Sequence, residues 1–142
     1  MTRAPAAGLN RVWWASAVLA LILSLGLAVD AALLISNYQV GQAALNAAAE
    51  AAATAVEPAA DTGWELRLED SADQPSAYTL AAAALGAARA RVTISDVVSD
   101  GRRVLVRGEV AAPTLLVRWF GLTEITFSLV ATADLRPPSL SP

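Results

Sequence analysis

Cysteine, histidine and lysine are all missing from this 142-residue chain. Without cysteine there is no disulfide framework, no thiolate metal site, no acylated lipoprotein cysteine and no thiol nucleophile. Without histidine, the side chain that most often does acid–base or metal chemistry near neutral pH is gone as well. An enzyme is not expected on these grounds. The ten basic residues, all arginine, are outnumbered by thirteen acids for a formal charge of −3, so nucleic acid is not an expected partner. No glycine-rich phosphate loop, metal-ligand spacing or Ser/Asp/His set occurs, and neither a cofactor nor a small-molecule substrate is expected.

Charge is also scarce in one place. Between Arg11 and Glu50 only Asp30 ionises, and no proline interrupts the run. Residues 12–29 read VWWASAVLALILSLGLAV, and apolar character resumes as far as Ile35. A helix needs about 20 apolar residues to cross a bilayer core, so residues 12–35 form a candidate transmembrane segment. Arg3 and Arg11 precede the run, whereas Asp30, Glu50 and Glu57 follow it. The positive-inside rule then puts residues 1–11 in the cytoplasm and everything after the span outside the cytoplasmic membrane. Trp13, Trp14 and Tyr38 suit the two headgroup levels. The rival reading is a cleaved signal peptide leaving at Gly26-Leu27-Ala28, but the apolar run exceeds the usual 7–15 residues of such signals.

The helical pattern does not end with the span. Residues 36–57 are rich in alanine, the best helix former, and predict an extracytoplasmic extension ending near Val56, before Pro58. Small side chains recur at i+4: Ser16, Ala20, Ser24, Ala28, Ala32 and Ser36, then Ala44, Ala48 and Ala52. Such a stripe allows another helix backbone to approach closely in lipid. The candidate partner interface is therefore Ala20, Ser24, Ala28, Asp30, Ala32 and Ser36, in a homo- or hetero-oligomer formed through the long helix. The same spacing also arises by chance in an alanine-rich chain. Asp30 reads either as an interfacial acid ending the span or as a carboxylate facing a partner.

Beyond a linker at 59–63 the pattern changes to that of a small α+β domain, residues 58–135. Trp64, Leu66 and Leu68 alternate with Glu65, Arg67 and Glu69 as a half-buried strand. Ser76 is a candidate N-cap for a helix over 77–90. Residues 91–98 and 103–110 read as strands joined by an Asp100-Gly101 turn. In 124–134, Ile125, Phe127, Leu129, Ala131 and Ala133 alternate with polar neighbours. These elements predict a four-stranded, mainly antiparallel sheet with one or two helices, either a split βαβ arrangement or a three-stranded meander from Val92 to Asp134 with the Trp64 strand added at an edge, followed by a proline-rich tail at 136–142. The apolar cluster Leu115-Leu116-Val117-Trp119-Phe120 is expected in the core, or, if exposed, as a docking patch. Arg102, Arg103, Arg107 and Arg118 are expected on a solvated face, and Asp96 and Asp100 at a turn rather than around a cation.

The segment LGLAVDAALLISNYQVGQAALNAAAEAAATAV resembles the N-terminal region of TadG-like proteins of the tight-adherence (Tad/Flp) pilus system. The segment VRGEVAAPTLLVRWFGLTEITFSLVATADL resembles the same family. In size the chain is closer to TadE-like minor pilins, although Trp13 stands where those usually carry a glutamate after a processing glycine, here Gly8. The resemblance implies a minor pilin-like or assembly subunit whose partners are the lipid bilayer and other Tad pilus proteins or pilins. The alternative is a membrane-anchored extracytoplasmic binding subunit of an unrelated envelope or secretion complex.

Overall fold

The structure, a computed structural model, describes residues 7–59, 63–88 and 91–136. The expected positions of Arg3, of linker residues 60–62, of helix residues 89–90 and of the tail from 137 onward lie outside the described residues. One helix, α1, runs without a break from Ala7–Ala52. Its 46 residues make a rod of about 69 Å at 1.5 Å per residue. It is long and apolar enough to cross a membrane. It ends four residues before Val56: Ala53 and Thr54 form a turn, and Val56–Ala59 is a strand, β1.

β1 pairs antiparallel with β2 (Gly63–Leu66), matching Val56 with Leu66 and Pro58 with Trp64. The expected four-stranded sheet is therefore replaced by two sheets, of two and three strands. The Trp64 strand finds its partner in the segment just before it. Pro58, expected only to stop the helix, sits in a short edge strand, a position that proline tolerates because the edge needs no N–H on its open side. Arg67 locks the hairpin down. Its guanidinium donates to Val56 O (3.1 Å) and Pro75 O (3.3 Å) and lies 3.5 Å from the Glu57 carboxylate.

α2 (Ala77–Ala88) starts as expected at Ser76, whose hydroxyl accepts the Thr79 N–H. The Asp70 carboxylate accepts the N–H of Ser76 (2.6 Å) and the Thr79 hydroxyl, and these bonds hold its pKa below the usual carboxylate value. The second sheet has the order β3 (Val92–Ser99), β4 (Arg103–Pro113), β5 (Glu124–Asp134), all antiparallel. Asp100 closes the β3–β4 turn by accepting the N–H groups of Arg102 and Arg103, which lower its pKa.

The inward rows of the sheet match across strands: Val104 faces Ala133, Val106 faces Ala131, and Gly108 faces Leu129. In β3 the inward parity switches from Val92 and Ile94 to Val97 through a register shift between Ile94 and Asp96, a β-bulge.

The core is the contact between this sheet, α2 and the C-terminal part of α1. Ala44, Leu45, Ala48, Ala49, Ala52 and Ala53 are buried against Val104, Val106, Val110, Leu129, Ala131 and Ala133. Ala77, Ala81 and Leu85 of α2 complete it. The alanine-rich extension thus supplies the middle of the domain instead of projecting from it. Small side chains let the helix lie close to the strands. At Gly41 a Cβ would come within 2.6 Å of Val110 Cγ2, so this position has room for hydrogen alone.

Candidate functional site

The β4–β5 connection carries the geometry that distinguishes this fold. Residues 114–123 leave the sheet at the pair Pro113–Glu124 and return along α1 toward its apolar half. The loop is closed at its base by the Thr114 N–H donating to Thr123 O (3.2 Å) and by the Thr114 hydroxyl donating to Leu122 O. At its tip Val117–Phe120 winds into one 3-10 turn. Such a turn leaves its first N–H groups without acceptors in the loop itself.

Asp30 supplies the acceptors from 85 residues away. Its carboxylate takes the N–H of Leu115 at 2.6 Å, of Leu116 at 2.9 Å and of Val117 at 3.0 Å. The side chain caps the turn in trans, and the residue is only 1 % exposed. The arrangement satisfies both sides: the acid gains three donors and the loop backbone gains an acceptor. Each would be costly to bury alone. One turn earlier, Gly26 makes the close approach possible. A Cβ there would fall 2.7 Å from Leu116 Cδ1.

The rest of the loop faces outward. Trp119 is 86 % and Phe120 76 % exposed, the highest values for large apolar side chains among the described residues, and Leu115 and Leu122 are more than half exposed. This corrects the expectation that the 115–120 cluster lies in the core: only Leu116 and Val117 are partly covered. Two turns C-terminal to Asp30 on α1, Tyr38 packs edge-to-face on Phe127, at 6.3 Å between ring centroids. Ala31, Leu34 and Ile35 line a shallow apolar groove beside them.

The small-residue stripe divides in two. Ala44, Ala48 and Ala52, expected to continue a surface for a partner helix, are buried in the chain's own domain. Ala20, Ser24, Ala28, Ala32 and Ser36 are exposed. Ala28 and Ala32 lie about 200° around the helix from Asp30 at 100° per residue, so their face points away from the loop. Asp30, grouped with them in the expected interface, belongs to the opposite face and is engaged within the chain. The basic residues Arg102, Arg103, Arg107 and Arg118 are exposed, as expected for a solvated face, and no acidic cluster among the described residues is arranged to hold a metal ion.

Asp30 itself stood out in the sequence as the lone charge between Arg11 and Glu50; its partners did not. Backbone N–H groups carry no residue signature, and nothing in residues 115–117 names an acid in the helix as their acceptor. Comparison with family models, with curated proteins and with solved structures matches this chain to none of them.

Proposed function

We propose that this chain is a non-enzymatic, single-pass membrane protein acting as a minor pilin-like or assembly subunit of a Tad-type pilus. The observation that carries the reading is the single helix α1, apolar and exposed in its first part and forming the core of a small domain in its last. A subunit built this way joins lipid-embedded helix contacts to an outer surface with no flexible joint between them. The resemblance of residues 25–56 and 106–135 to TadG-like proteins supplies the assignment to that system. The arginines before the span and the acids after it favour a cytoplasmic N-terminus and an outer domain in the cytoplasmic membrane.

In this reading the open face bearing Ala20, Ser24, Ala28, Ala32 and Ser36 receives a partner helix, since close packing in lipid depends on small side chains. Ala28→Leu and Ala32→Leu test it. Both keep helix propensity and raise hydrophobicity, so membrane insertion is retained. Co-purification with pilus proteins and filament output should fall, at unchanged membrane level. Recovery of an unrelated envelope or secretion complex, with no pilus component, would replace the pilus assignment with the binding-subunit alternative.

A further inference from the structure

We propose that the loop 115–122 is a second membrane-binding element, inserting Leu115, Trp119, Phe120 and Leu122 into the outer leaflet beside α1. The inference rests on the single-pass reading and adds a site to it. If the hydrocarbon begins at Val12, a core of about 30 Å extends about 20 residues along a helix, to the neighbourhood of Ala32. Leu116 touches α1 at Gly26, and the tip of the loop is tied at Asp30. Gly26 lies six residues before Ala32, which places that contact about 9 Å inside the boundary. The loop is held against the helix at a level that lipid already occupies.

The chemistry of the loop fits that level. Irregular backbone is tolerated in hydrocarbon only where its polar groups are satisfied within the protein. Asp30 takes three of the loop's N–H groups, Thr114 closes the base, and the Trp119 and Gly121 N–H groups donate to Leu116 O and Arg118 O. Of the side chains left outside, Leu115, Trp119, Phe120 and Leu122 are large and apolar, and Arg118 is charged. Trp119 and Phe120 are more exposed than any large side chain of the span itself, which in water would be an unfavourable surface and in the acyl region is the expected one. Arg118, on the same turn and exposed, has an apolar stem long enough to reach the phosphate level while its neighbours go deeper. The occupant is the acyl-chain region of the bilayer, and the continuity of this patch with the spanning helix is what singles it out over a protein partner.

Trp fluorescence in vesicles separates this proposal from the reading beneath it. Two full-length variants each keep one tryptophan of the pair at issue, Trp119 (with Trp13, Trp14 and Trp64 changed to Phe) or Trp13 (with Trp14, Trp64 and Trp119 changed to Phe). Each is reconstituted in phosphatidylcholine and in phosphatidylcholine brominated on its acyl chains. Quenching of both supports the proposal. Quenching of Trp13 alone overturns it and leaves the span intact; quenching of neither overturns both. Because the chain has no cysteine, Phe120→Cys labelled with an environment-sensitive dye gives a second reading that leaves every tryptophan in place. Its emission should shift to the blue in vesicles, while a label at Val98→Cys, on β3, should not. A shift at position 120 that needs another protein and occurs without lipid would also overturn the proposal.

Discussion

Replacing Gly41 with alanine sets two opposing effects against each other at one atom. In an unhindered helix the change stabilises by about 1 kcal/mol, because glycine has more backbone freedom to lose. At Gly41 the new Cβ would stand 2.6 Å from Val110 Cγ2 and 3.1 Å from Leu129 Cδ1. Val110 has little freedom to withdraw. It is β-branched, buried, and paired on both sides of a central strand, with Val92 and with Phe127. Overpacking of this kind costs about 1–3 kcal/mol. Packing therefore wins, and the net effect is a destabilisation of between nearly zero and about 2 kcal/mol. Gly86 in α2 provides the control, since a Cβ there meets nothing within 4 Å. Gly86→Ala should show the propensity gain alone, raising Tm by about 2–8 °C for a domain of this size. The assay is thermal unfolding of the full chain in detergent, followed by near-ultraviolet circular dichroism. Adding Val110→Ala to Gly41→Ala should be less damaging than the sum of the two, because the smaller side chain removes the clash. If Gly41→Ala stabilises as much as Gly86→Ala, the helix does not seat on β4 and β5 as described and the account of the core is wrong.

Two further outcomes follow from the carboxylates. Asp30→Ala removes the acceptor of three backbone N–H groups, so the 3-10 turn should loosen and chymotrypsin should cut at Trp119 or Phe120 faster than in the unaltered chain; equal rates would mean that the capping bonds do not hold the loop. Asp70 and Asp100 have folded-state pKa values below their unfolded ones, so their contribution is full above about pH 4 and is lost as pH falls through the lowered values. Asp70→Asn should flatten the acid limb of the stability curve, and an unchanged slope would remove Asp70 from it.

What the sequence made legible was whatever depends on local pattern. The uncharged run, the alternation of 124–134, the Asp100-Gly101 turn and the Ser76 cap each depend on neighbours a few residues apart, and each is found in the structure. The failures share a cause of the opposite kind. β1 is four residues containing a proline, too short to show a period, and exists because Val56 pairs with Leu66. The bulge in β3 changes which valines face inward, and only the register against β4 reveals it. The alanines of the extension are buried by a sheet that follows 60 to 80 residues later, a separation no local pattern spans. The 115–120 cluster reads the same whether it faces a core or lipid, since apolarity alone does not name the surroundings.

The two attachments of the domain to α1, at Gly26–Asp30 and at Gly41–Ala53, have a consequence for length. Each grips a particular face of the same helix, so the interval between them behaves like the tooth spacing of a key. One residue inserted between Asp30 and Gly41 turns one grip by about 100° and slides it by about 1.5 Å against the other, whereas an insertion before Gly26 moves both together. Four inserted residues nearly restore the angle but leave about 6 Å of slip, more than the loop can absorb while Leu116 stays against Gly26. The part of the helix before Gly26 can thus change in length without disturbing either grip, and the part from Gly26 to its C-terminal end cannot.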